Sequence, residues 1–91
     1  MKENEIEEHL HTRIKALGGE YRRLSWIGRN NANDDFILLP GRHALVECKK
    51  PGKHATAAQA REHDRLRAAG LEVYVVSTKA EVDAIFPPPT N

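Results

Sequence analysis

The stretch Asp34-Asp35-Phe36-Ile37-Leu38-Leu39-Pro40-Gly41-Arg42-His43-Ala44-Leu45-Val46-Glu47-Cys48-Lys49 decides the fold. Phe36 to Leu39 is an unbroken apolar run, as a buried strand requires, and Pro40-Gly41 turns it. His43 to Lys49 reads as the next strand, so the two form a hairpin. Side chains alternate across a strand, so Ala44, Val46 and Cys48 share an inward face while Leu45, Glu47 and Lys49 share the other. If Asp34 begins the neighbouring antiparallel strand, its carboxylate lies near that of Glu47, 13 residues further on. Two close carboxylates repel unless a cation sits between them. Mg²⁺ suits such a site, because it takes few carboxylates and keeps several waters. Lys49 beside it positions an attacking water or stabilises charge developing on phosphorus. The plain alternative for Glu47-x-Lys49 is a surface ion pair.

Outward from the hairpin, the periodicities give the remaining elements. Ile6, Leu10, Ile14 and Leu17 recur at helical spacing and Gly18-Gly19 stops them, which predicts a helix over 3–17. Tyr21 to Trp26 is a short strand, and Gly28 to Asn33 a loop by composition. Thr56 caps a helix that runs to Ala69 and closes at Gly70. Val73-Tyr74-Val75-Val76 reads as a strand buried on both faces. Thr78-x-x-Glu81 opens a last helix that ends before Pro87. The order αβββαβα predicts an α/β sandwich with a mixed central sheet flanked by helices, the third and fourth strands being parallel. Residues 1–86 form one domain and 87–91 a disordered Pro-rich tail.

Composition sets the limits. Ninety-one residues make one small domain, for which self-association adds stability. A net charge of +1 with 30% charged residues excludes a uniformly basic nucleic-acid coat protein. The middle is nonetheless basic, with seven basic and three acidic groups over residues 40–69. An acidic island in such a stretch fits a metal-dependent site for a polyanion. One cysteine, Cys48, excludes an intrachain disulfide, and the five histidines form no zinc-ligand spacing with it. No Walker motif or nucleotide-cofactor site is present. The N-terminus is no secretory signal and no apolar run spans a bilayer, so a cytoplasmic protein without membrane attachment is expected.

Taken together, Gly28-Arg29-Asn30-Asn31-Ala32-Asn33-Asp34, the hairpin with Pro51-Gly52-Lys53 after it, Gln59, and Arg65 to Val76 resemble the VRR-NUC domains, virus-type replication-repair nucleases of the PD-(D/E)xK superfamily. The resemblance covers roughly residues 3–85. The family's Gly-x-Pro-Asp stands here as Asn31-Ala32-Asn33-Asp34, without the Gly and Pro. Aligning on Leu38-Leu39-Pro40-Gly41 puts the family's aspartate on Asp34, with Asp35 an off-by-one rival. The family's Glu-Leu-Lys is Glu47-Cys48-Lys49.

The resemblance implies a restriction-endonuclease-like fold and a structure-specific DNA endonuclease using Mg²⁺ or Mn²⁺. Asp34, Glu47 and the Cys48 carbonyl would hold the metal, with Lys49 on the attacking water. The superfamily also brings a glutamate from its first helix to the metal. Glu7 is expected in that role, with Glu3 in reserve, and first-turn acids favoured by the helix dipole as the alternative. Gln59 matches the family's glutamine and is also the N3 residue of a Thr56 capping box. A four-way junction is the expected substrate; two symmetric cuts need two sites, hence a C₂ homodimer. Lys50, Lys53, Arg61 and Arg29 are candidates for the DNA backbone, and Arg22 and Arg23 after them. His54 or His63 is a candidate for phosphate, and Trp26 for base stacking or a dimer contact. A phage or prophage protein in a bacterial host is the expected setting. The competing reading is a non-catalytic subunit that binds branched DNA with the same fold.

Overall fold

A computed structural model of the chain describes residues 2–24 and 34–90. Its elements are α1 (Glu3–Ala16), β1 (Glu20–Leu24), β2 (Asp34–Leu39), β3 (Arg42–Cys48), α2 (Ala57–Ala68), β4 (Glu72–Val76) and α3 (Lys79–Ile85). The four strands make one sheet in the order β1-β2-β3-β4. The first three run antiparallel, and β4 joins β3 in parallel. Parallel neighbours need a long crossover, and α2 supplies it.

The hairpin between β2 and β3 closes through two residues, with Leu39 paired to Arg42. Pro40 fixes its own backbone, and Gly41 takes φ +74°, the left-handed conformation glycine adopts without steric cost. That closure sets every pair along the ladder, including Asp34 with Glu47 and Asp35 with Val46.

α1 packs on the sheet through Ile6, Leu10 and Ile14, all fully buried. They meet Ile37, Ala44, Val46 and Cys48 on the sheet and Val82 and Phe86 around α3. The expected inward face of β3 is therefore the observed one. Burying each large aliphatic side chain is worth about 1.5–3 kcal/mol, so this stripe is what holds α1 down. Leu17 lies half-buried at its margin. Val73 and Val76 of β4 are buried, but Tyr74 and Val75 are only half-buried. Burial on both faces was expected; β4 is instead an edge strand, and α2 beside it offers little bulk, with Ala57, Ala58, Ala60 and Ala68 among its residues.

Thr78 caps α3 as expected, its Oγ1 accepting from the Glu81 N–H at 3.1 Å. The Glu81 carboxylate reaches back to the Ser77 N–H at 3.1 Å. At the other end Arg13 Nη1 donates to the Phe86 carbonyl at 2.8 Å and Arg42 Nη1 to that of Ile85 at 3.0 Å, so two cations serve the helix's last carbonyls. Arg42 also grips Glu72 of β4 with Nε and Nη2, at 3.1 and 2.7 Å. Residues 87–90 are exposed and carry no regular structure. Among the described residues no helix is long and apolar enough to cross a membrane.

Gly19 joins α1 to β1 and lies close against β2. A Cβ there would lie 2.5 Å from Leu39 Cδ2 and 2.7 Å from the Leu38 carbonyl oxygen. The first can move; the second is backbone. Gly19→Ala is expected to destabilise the protein by about 1–3 kcal/mol, read as a lower urea midpoint at unchanged slope.

Candidate active site

The site begins with the hairpin register. Asp34 opens β2 and faces Glu47 directly across the ladder, so both side chains project from the same side of the sheet. Both are buried, Asp34 at 0% and Glu47 at 2% exposure. Asp35, the off-by-one rival, pairs with Val46 and points the opposite way. The register thus selects Asp34 as the partner of Glu47.

α2 covers Glu47. Its first turn is fixed by a complete capping box: Thr56 Oγ1 accepts from Gln59 N–H at 3.1 Å, and Gln59 Oε1 accepts from Thr56 N–H at 2.9 Å. The other end of the same amide, Nε2, donates to Glu47 Oε1 at 3.2 Å. Gln59 thus completes the helix cap and also contacts Glu47, because the start of the helix abuts that carboxylate. Lys49 Nζ lies 3.2 Å from the same oxygen. The second oxygen, Oε2, lies 3.4 Å from His63 Nε2, yet neither atom has a hydrogen-bond partner among the described residues. His63 is one helical turn beyond Gln59 and is 2% exposed. Its place beside a carboxylate, rather than at an open phosphate surface, follows from that spacing once α2 is known to lie over Glu47.

The structure does not bring Glu7 to this group. α1 packs on the face of Ala44, Val46 and Cys48, opposite Glu47. Glu7 meets Asp35 and His11 there, three residues whose ligand atoms lie within 4.8 Å of one another. Arg23, across from Asp35 on β1, donates from Nη2 to Glu7 Oε1 at 2.9 Å. The His11 ring stacks on Tyr21 with centroids 3.7 Å apart. The helical stripe told correctly that Glu7 faces the sheet; the alternation of β2 decides which aspartate it finds. Glu3 lines a cleft beside Glu7 with Lys2, Asn4, Arg23 and Lys50.

Electrostatics differ on the two faces. Burial first, and then Glu7, push the Asp35 carboxyl up to about 8, with Arg23 acting against them. Burial lowers the His11 imidazole below its ordinary value. Burial also holds the Cys48 thiol far above the usual thiol range, so it packs as a small apolar side chain, as expected.

Among the remaining candidates, Lys50, Lys53, His54 and Arg61 are exposed around the Glu47 end of the sheet and the start of α2. Arg22 is exposed and pairs with Glu20 at 3.3 Å. His9 turns to Asp83 of α3 at 2.8 Å. Arg29, Trp26 and the Asn31-Ala32-Asn33 segment lie outside the described residues.

A mixed four-stranded sheet flanked by helices, in the order αβββαβα, is the restriction-endonuclease-like fold of the PD-(D/E)xK nucleases. The chain belongs to the VRR-NUC family of that superfamily. A solved VRR-NUC domain matches it with a TM-score of 0.80 and 36% identity, over 91% of each chain. "Putative nuclease p44" of Acyrthosiphon pisum secondary endosymbiont phage 1 is 36% identical over 88 residues, 96% of this chain and 94% of that protein. No family model matches the chain.

The Asp35 shift has a measurable sign. Its ordinary value is 3.8, so between there and about 8 the folded protein keeps a proton that the unfolded chain has released. The contribution is full below the lower value and is lost as pH rises to the upper, with a slope of at most about 1.4 kcal/mol per pH unit. An Asn at 35 presents an N–H donor to Glu7 and does not titrate. In EDTA, the melting temperature of Asp35→Asn relative to wild type is expected to rise steadily from pH 5 to pH 8. A difference that stays constant across that range contradicts the assignment.

Proposed function

We propose that this protein is a divalent-metal-dependent endonuclease that hydrolyses phosphodiester bonds in branched DNA, a four-way junction being the favoured substrate, and that it acts as a C₂ homodimer. The observation that carries the reading is the facing pair Asp34 and Glu47 with Lys49 alongside. The donor set fits Mg²⁺ or Mn²⁺: two buried carboxylates on one side of the sheet, with Glu47 Oε2 accepting no hydrogen bond among the described residues. Asp34, Glu47 and the Cys48 carbonyl would hold the ion. When bound it supplies positive charge at the scissile phosphate and acidifies its water.

The chain's own residues do the rest. Lys49 carries a fixed ammonium at the edge of the carboxylate pair, where it orients the attacking water and offsets charge developing on the phosphoryl oxygens. Gln59 is a positioning residue: its amide holds Glu47 Oε1 and is itself held by the helix cap. His63 Nε2 lies 3.4 Å from Glu47 Oε2, at the margin of the carboxylate pair. Lys50, Lys53 and Arg61, with Arg29, bind backbone phosphates, which fixes register without reading sequence. Residues 1–86 make up the nuclease domain. The phage relative supports a role in the cytoplasm of a phage-carrying bacterium.

The test uses a labelled four-way junction, a fork and a linear duplex, each with Mg²⁺, Mn²⁺ or EDTA. Metal-dependent cutting of the junction is expected. Lys49→Ala and Glu47→Gln are each expected to slow it by about 10²–10³-fold with junction binding retained. Gln59→Ala is expected to cost about 10–100-fold. Light scattering at micromolar concentration should give two chains per particle. Retained binding with no cutting under any metal would establish the non-catalytic reading, and a monomer would remove the paired-cut scheme.

A further inference from the structure

α2 buries a single side chain, and that side chain is polar. Within Ala57–Ala68 only His63 is buried, at 2% exposure. An apolar residue at that position would pack on the sheet and need no partner. An imidazole brings ring nitrogens that call for one. His63 Nε2 lies 3.4 Å from Glu47 Oε2, and both atoms are closed to solvent. Neither has a hydrogen-bond partner among the described residues, so each is left to the other.

What the ring faces decides which nitrogen carries its proton. With Nε2 as an acceptor, two lone pairs would oppose each other in a dry site, where unpaired polar atoms are most costly. With the proton on Nε2, the same contact is a donor aimed at a carboxylate, and a small rotation brings it into hydrogen-bond range. His63 stands four residues after Gln59, on the same face of the helix. Gln59 Nε2 already donates to the other oxygen, Oε1, at 3.2 Å. One turn of α2 therefore grips both ends of one carboxylate. A carboxylate offers about four acceptor positions. Gln59, Lys49 and His63 take three of them and leave one for a cation.

We propose that His63 is a positioning residue of the hydrolytic site: its Nε2–H holds Glu47 Oε2 and, with Gln59 on Oε1, locks the carboxylate in the one orientation that serves the ion. The purpose of the contact rests on the nuclease reading, whereas the contact itself exists without an ion. Outer partners of this kind orient metal ligands, and losing one costs about 10–100-fold in metal affinity. The imidazole acts here through Glu47 and touches neither ion nor substrate.

The experiment uses the full chain with isotope-labelled histidine, observed by NMR in EDTA. Loss of signals in His63→Gln identifies the His63 ring. A ring protonated at Nε2, with a proton that exchanges slowly with water, is expected; protonation at Nδ1 alone overturns the proposal. Mn²⁺ is then titrated calorimetrically into wild type, His63→Leu and His63→Gln. His63→Leu keeps the bulk and removes the donor, so it is expected to bind Mn²⁺ about 10–100-fold more weakly while still melting cooperatively in EDTA. His63→Gln carries an amide that reaches the same oxygen and is expected to recover most of that loss. If His63→Leu does not fold, His63→Asn takes its place, because its shorter amide falls short of Oε2. Wild type that binds no Mn²⁺ overturns the nuclease reading and this inference with it. Wild type that binds Mn²⁺ no more tightly than the variant without the donor overturns this inference alone.

Discussion

The hydrogen-bond register between β2 and β3 is the constraint on which the rest of the molecule depends. It is set by a closure of two residues, Pro40 and Gly41. Side chains in a strand repeat every second residue, so a slip by one would exchange the inner and outer sets completely. Here such a slip would turn Asp34 toward α1 and leave Asp35 beside Glu47. The apolar residues of both strands resist it, because Ile37, Ala44, Val46 and Cys48 would lose their burial against Ile6, Leu10 and Ile14. Core packing and placement of the carboxylates are thus one decision, made by the same alternation.

The second coupling joins α2 to the sheet. A capping box normally serves only the helix that contains it. In this chain the Gln59 side chain is shared: its oxygen completes the box and its nitrogen reaches Glu47. The direction of the amide is therefore assigned by two partners at once. Losing either end frees the other, so the helix start and the orientation of a buried carboxylate stand or fall together. Thr56 sits three residues from Gln59 and is tied to Glu47 through it, so it belongs to the same chain of contacts.

Much of this was legible from residues alone. Short apolar runs bounded by Pro and Gly fixed β2 and β3, and the Ile6, Leu10 and Ile14 spacing fixed α1, since both signals are local. Asp34, Glu47 and Lys49 were readable because two strands joined by a short turn have only one sensible register. Glu7 was legible only in part: helical periodicity reports that a residue faces the sheet but not which neighbour waits there. The cluster with His11 and Asp35 needed the crossing of α1 over β2, a tertiary fact, although Glu7 and His11 at four-residue spacing were a visible hint. The half-burial of Tyr74 and Val75 was hidden because an apolar run does not say whether its strand lies inside a sheet or at its edge.

The grip of Arg13 and Arg42 on the last carbonyls of α3 has a practical corollary. Arg42 begins β3 and holds the end of α3, while Glu47 lies five residues along the strand, roughly 17 Å from Arg42 at the usual rise per strand residue. Whatever is fused beyond Pro87, a fluorophore, an affinity handle or another folded module, starts from the rear of the molecule. It can be attached there without crowding the end of the sheet where a nucleic acid would lie.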